Sequence, residues 1–192
     1  RDRVYSALTR EYGNKKEVVQ HFYHKDTSVP IWAIFEVLTL GEFGNFYSCL
    51  SYGVRREVSI KLGFHQPSDS DAFLTKKIIF AIKELRNAVA HNDVIFDTRF
   101  SRSSIDKSLS SSLEIVTGIK SITFKSITDY IILVVYLLKC FGVPKGDMRR
   151  FVAEFQDNIE TLRKQIPTSL FARIVLTDTR PKLKSLQEYI RK

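Results

Sequence analysis

Leu74, Ile78, Ile82, Leu85 and Val89 follow one another at intervals of 4, 4, 3 and 4 residues. Each residue of an α-helix turns about 100°, so positions with this repeat share one face. The segment is predicted as a long amphipathic helix with that stripe buried. Phe151, Phe155, Ile159 and Leu162 repeat the pattern at 4, 4 and 3 within an amphipathic stretch from Asp147 to Lys164. Between them, the stretch that follows Ser126 and runs through Cys140 is apolar on nearly every side. A helix of that composition is a core element.

The first of these helices ends in Arg86-Asn87-Ala88-Val89-Ala90-His91-Asn92. Asn87 and His91 are four residues apart and lie nearly in line, with Arg86 flanking them, on the side away from the apolar stripe. An imidazole exchanges a proton near neutral pH. A guanidinium grips a phosphate and offsets charge that builds on it. An amide orients the ring or the substrate. The trio suits metal-free RNA cleavage, in which the neighbouring 2′-OH attacks the phosphate and DNA, lacking that group, stays intact. A solvated helix end carries such residues too, because the helix dipole favours cations there, and R-x4-H arises readily by chance.

Composition fits a single domain with a real core: 192 residues, 44% hydrophobic and 27% charged. The net charge of +9 is uneven. Residues 1–100 hold 14 basic against 12 acidic side chains, and residues 101–192 hold 16 against 9. A basic surface suits a phosphate-rich partner, though it serves solubility equally. Cys49 and Cys140 lie in apolar segments and read as buried free thiols of a reducing compartment. No signal peptide is visible, and the longest strongly apolar run, Tyr130 to Leu138, is about half of what a bilayer crossing requires. A cytoplasmic protein with no membrane partner is expected. There is no C-x-x-C. His21 and His24 are three apart but have no third ligand near in sequence, so no metal and no cofactor are expected and both read as surface residues.

Taken in order, Val4 to Tyr12 is predicted as a helix stopped by Gly13, and Lys15 to His24 as a second. Pro30 opens a third over residues 31–40, apolar except for Glu36 and Thr39 and expected to be deeply buried. Glu36 would then need a partner, either a structural hydrogen bond or ion pair, or Arg86 or the backbone of the site, whose geometry it would fix. Gly41 and Gly44 mark a turn into Phe46. Arg55 and Arg56 begin another helix that ends at Gly63. Either they hold RNA phosphates or they sit on a solvated face. The loop from Gln66 to Ser70 caps the motif helix. After His91 a turn and a short extended piece are expected. Ser101 to Ser112 reads as a loop or a weak helix, and Ser126 to Asp129 resembles a capping box. Pro167 breaks the Asp147–Lys164 helix, Ser169 to Leu176 reads as a short helix, and Arg180 to Lys192 closes the chain with Lys182, Lys184, Arg191 and Lys192 as a basic tail within reach of RNA or merely solvated.

Arg86-Asn87-x-x-Ala90-His91 resembles the R-N-x-x-A-H signature of HEPN ribonucleases, and more narrowly that of the Abi-like proteins of bacterial abortive infection. Pro30-Ile31-Trp32-x-x-x-Glu36-x-x-Thr39-Leu40-Gly41 resembles a second family block, with Leu40 in place of the usual Phe. Asn45-Phe46-Tyr47-x-x-Leu50 fits the stretch that follows. The resemblance covers residues 30 to 100. It implies an all-α fold, a HEPN-like helical bundle with additional helices, as a single domain over residues 1–192. Because the chain opens Arg1-Asp2-Arg3 without Met, an upstream portion is expected to be missing, and the resemblance implies helices there that frame the site. It further implies metal-independent endoribonuclease chemistry in which His91 moves the proton, Arg86 stabilises the phosphate and Asn87 orients. Asn92 joins Arg55 and Arg56 as an RNA contact, and Trp32 and Glu36 give structural support. It also implies a composite site built from two motifs. The sequence holds one R-x4-H, so a homodimer is expected, with a small RNA or a protein antitoxin as a further partner. The alternative is an inactive HEPN-type RNA-binding or toxin–antitoxin scaffold protein.

Overall fold

The computed structural model describes residues 2–90, 100 and 105–192. Among these it holds eleven α-helices and no strand, in agreement with the all-α expectation. They form two compact units, Arg1–Ser51 and Tyr52–Lys192.

The first unit is built from α1 (Asp2–Gly13), α2 (Glu17–His24), α3 (Ile31–Val37) and α4 (Leu40–Ser48). Among the described residues its buried ones are few: Ala7, Val19, Ala33, Val37, Gly44 and Tyr47. The helix predicted over residues 31–40 stops at Val37 and is not deeply buried. Ile31 is 60% exposed and Trp32 53%, and Phe35 and Glu36 are exposed as well. Only Ala33 and Val37, four residues apart, are buried, and α3 packs against α1. A seven-residue helix makes two turns, and so small a unit cannot surround it. Glu36, being exposed, carries no desolvation cost that a partner must offset.

Gly41 and Gly44 do not form a turn either; both lie inside α4. The helix starts there because Thr39 and Glu42 make a reciprocal capping box. The Thr39 hydroxyl accepts from the Glu42 N–H at 3.2 Å, and the Thr39 N–H donates to the Glu42 carboxylate at 2.8 Å. Such a box stabilises a helix start by about 1 kcal/mol. Glu42 also receives the guanidinium of Arg10 at 2.9 and 3.3 Å, and Arg10 donates to the Val37 carbonyl at 3.2 Å. One arginine thus ties α1 to the end of α3 and the start of α4. The hydrogen bond from Arg10 is the main reason that the Glu42 carboxyl is held down at about 2.

The second unit contains α5 (Tyr52–Lys61), α6 (Leu74–Ala90), α7 (Lys107–Thr117), α8 (Ile127–Cys140), α9 (Lys145–Gln165), α10 (Thr168–Ile174) and α11 (Thr179–Arg191). As its composition predicts, α8 is the centre. Tyr130, Ile132, Leu133 and Val135 are fully buried, and α6, α7, α9 and α11 pack around it. Full burial of an aliphatic side chain of this size is worth about 1.5–3 kcal/mol. The Ser-rich stretch is a real helix from Lys107 onward: Asp106 caps it by accepting the Ser108 N–H at 2.8 Å, and Leu109 and Leu113 reach the core. Among the described residues, no helix is long and apolar enough to cross a membrane.

A buried ion cluster joins α8 to α11. The Lys182 ammonium lies 2.7 Å from Asp129 and 2.7 Å from Asp178. Asp129 also accepts the backbone N–H groups of Thr123 and Phe124, each at 2.9 Å. Asp129 therefore makes no capping box with Ser126, whose side chain forms no cap bond. Lys182, expected in a tail within reach of RNA, is 4% exposed and committed to this cluster. Cys49 is exposed and Cys140 half-buried, so the expectation of two buried thiols fails for Cys49. It sits at the C-terminal cap of α4, on the rim of a unit with little interior. His21 and His24 are both exposed.

Candidate active site

The motif stands at the C-terminal end of α6, and the chain fixes that helix at its other end. Asp69, in the predicted capping loop, accepts the N–H of Leu74 at 3.1 Å through both carboxylate oxygens and the N–H of Phe73 at 3.1 Å. Asp71 accepts the Phe73 N–H as well. Burial, with Asp71 alongside, raises the Asp69 carboxyl above its usual range despite those donors. Arg55, on α5, donates twice to the Asp71 carbonyl, at 3.3 and 3.2 Å, and its guanidinium lies 4.1 Å over the Phe73 ring. That side chain holds α5 to the start of α6. Its neighbour Arg56 is exposed.

The core face of α6 runs through Leu74, Ile78, Ala81 and Ala88, with Ile82 and Leu85 packed at its side. Val89, predicted as the last member of the stripe, is 59% exposed. At 100° per residue Ala88 and Val89 fall on opposite edges of the stripe. Ala88 is 2% exposed, so at this end of the helix the alanine edge is the covered one.

On the other side, Arg86 is exposed and Asn87 half-buried. Arg86 Nη1 donates to Asn87 Oδ1 at 3.1 Å. Two of the three predicted motif residues are thus in direct contact. The amide oxygen orients the guanidinium, and the amide N–H donors are the part of Asn87 able to meet an acceptor on a substrate. His91 and Asn92 lie outside the described residues, as does the turn and extended piece expected after them.

Sequence reasoning did not single out the cations and rings that precede the motif on the same helix. Lys76 Nζ lies 5.4 Å from the centre of the Phe73 ring and 5.9 Å from that of Phe80, and Lys83 Nζ lies 5.8 Å from Phe80. The signal was present as a 3-4-3-4 repeat from Phe73 through Lys76, Phe80 and Lys83 to Asn87. Elsewhere, a cleft of about 430 Å³ in the first unit is lined by Tyr5, Leu8, Thr9, Tyr12, Val19, Tyr23, Thr27 and Val29. Its lining offers no acid, cation or imidazole. Among the described residues no group of three or more His, Cys, Asp and Glu side chains is placed to hold a metal ion.

Comparison with curated proteins and with solved structures gives no match. A family model described as Abi-like protein matches residues 1–97. The matched stretch takes in the whole first unit, both blocks that carry the resemblance, and α5 and α6 up to and past the motif. On the strength of that match over half its length, the chain belongs to the Abi-like protein family.

Proposed function

We propose that this protein is a metal-independent endoribonuclease of the abortive infection type, a member of the HEPN superfamily acting on RNA. The observation that carries the reading is the Arg86–Asn87 contact on the non-core side of α6, at the head of an R-N-x-x-A-H sequence in an Abi-like chain. In the reaction, His91 takes the proton of a ribose 2′-OH, the 2′ oxygen bonds to the adjacent phosphorus, and the bond to the 5′ oxygen of the next nucleotide breaks. That oxygen leaves with a proton from a second imidazole. The products are a 2′,3′-cyclic phosphate and a free 5′-OH. Arg86, held by Asn87, offsets the charge that builds on the phosphate oxygens. General acid–base transfer of this kind contributes about 10²–10⁴-fold.

A second imidazole requires a second motif, and the sequence holds one, so the active species is a homodimer with the two motif helices facing each other. Asn92 and Arg56 serve as RNA contacts. Arg55 does so only to the extent that its grip on Asp71 and Phe73 leaves it reach. Trp32 and Glu36 are assigned a supporting role on the resemblance of their block. A small RNA or a protein antitoxin restrains the activity.

The test is cleavage of a labelled single-stranded RNA in excess EDTA, with the 2′-deoxy strand as control. The parent cuts the RNA alone. His91→Ala and Arg86→Ala each abolish cutting and leave helical content unchanged. Cutting by both variants at the parental rate sinks the assignment. RNA binding by the parent without turnover selects the inactive RNA-binding scaffold instead.

A further inference from the structure

The side of α6 that the core does not use has an order of its own. Phe73, Lys76, Phe80, Lys83 and Asn87 step by 3, 4, 3 and 4 residues and so form a second stripe that runs into the motif. The core takes Leu74, Ile78, Ala81 and Ala88 from this helix, and neither phenylalanine belongs to the core cluster. Both rings are half-buried instead, with cations against them: Arg55 and Lys76 at Phe73, Lys76 and Lys83 at Phe80. The lysine ammonium groups lie 5.4 to 5.9 Å from the ring centres, within cation–π range. Lys83 also meets Glu84 at 2.8 Å. That ion pair is exposed, and an exposed pair is weak enough for a phosphate to displace it. Along the axis, Lys76 and Lys83 are about 10 Å apart, and Arg86 stands about 4.5 Å beyond Lys83.

Cations that track a backbone, interleaved with aromatic rings on which bases stack, are the chemistry that binds single-stranded nucleic acid. A duplex hides its base faces and gains nothing from the rings. We propose that Lys76, Phe80 and Lys83 form the track along which a single strand of RNA lies as it reaches Arg86 and Asn87. The lysines take successive backbone phosphates and the Phe80 ring stacks on a base between them. The inference rests on the RNA-cleaving reading and adds to it a preference for unpaired substrate and a direction of approach.

The test uses the full chain and a fluorescent 2′-O-methyl oligonucleotide, which lacks the attacking hydroxyl and is not cut. Its binding is measured by anisotropy across a salt series. In Lys76→Gln/Lys83→Gln, binding weakens and the slope of log affinity against log salt becomes shallower by about 1.4, at about 0.7 per lost contact on a single strand. Phe80→Leu weakens binding about fivefold to a hundredfold and leaves the slope as it is. A hairpin of the same length binds the parent more weakly than the open strand. If the parent binds and these variants match it in affinity and slope, the track is wrong while the RNA reading stands. If the parent binds no RNA, both fall. Polyglutamate that binds the parent as tightly as the oligonucleotide does, with no effect of Phe80→Leu, would mean that the surface takes an acidic chain and would overturn the proposal.

Discussion

Lys182→Met tests what burial does to an ion pair in this fold. The substitution keeps the length of the aliphatic stem and removes the ammonium. Two charge-assisted bonds of 2.7 Å are lost, and Asp129 Oδ1 is left in the interior without its donor. Removing one member of a buried pair costs about 3–5 kcal/mol, because the remaining charge is stranded. Asp129 Oδ2 keeps the N–H groups of Thr123 and Phe124, so the low end, about 3 kcal/mol, applies. In a chain of this size that lowers the thermal midpoint by about 6–12 °C. Arg180→Met provides the contrast. Its bond to Glu160 is as short, at 2.6 Å, but the two side chains are 66% and 44% exposed. A pair like that is worth about 0–1 kcal/mol. Thermal melts followed by far-ultraviolet circular dichroism compare the two. Adding Asp129→Asn to Lys182→Met removes the stranded charge, so the double variant falls short of the summed single effects. Equal midpoint shifts for Lys182→Met and Arg180→Met would refute the reasoning. The same cluster sets an alkaline limit. Burial pulls the Lys182 ammonium down, but its bonds to Asp129 and Asp178 prevail and raise it above 10.5. Its contribution is therefore complete below that pH and is lost as pH climbs through the raised value.

Three further outcomes are expected. Asp69→Ala removes the acceptor at the start of α6, costs about 1 kcal/mol and speeds amide hydrogen exchange at Phe73 and Leu74; unchanged exchange there would contradict the capping role. Because Glu42 is held at about 2 against an ordinary value of 4.5, the Arg10–Glu42 contribution to the first unit is complete above pH 4.5 and fades as pH falls toward 2. Trp32 is the sole tryptophan and belongs to that unit, so its fluorescence follows the acid transition, and Arg10→Gln flattens the transition. An aromatic disulfide reagent reacts first with Cys49, which is exposed, and later with Cys140, whose thiol burial pushes up; Cys49→Ser removes the fast phase.

The parts of this protein legible in its sequence share one property: they depend on neighbours a few residues away. The α6 stripe, the loop that caps it, the all-round apolar α8 and the amphipathic α9 follow from helical spacing and capping chemistry. The start of α4 is equally readable, since Thr39-x-x-Glu42 is a capping-box pattern, whereas Gly41 and Gly44 taken alone point to a turn. The misreadings concern what lies opposite a helix. Residues 31–37 are apolar enough for a core, yet only Ala33 and Val37 are buried. Val89 fits the periodic stripe and still is 59% exposed, while its neighbour Ala88 is buried.

For the candidate site, sequence alone placed Arg86 beside Asn87 on the side of α6 that the core leaves, because a helix sets the angle between nearby residues whatever surrounds it. Tertiary structure decided which charges remain available. It closed Lys182 into the interior against Asp129, 53 residues away, and turned Arg55 onto Asp71 and Phe73. Burial is a property of everything packed around a group, and those neighbours come together only when distant segments of the chain fold against one another.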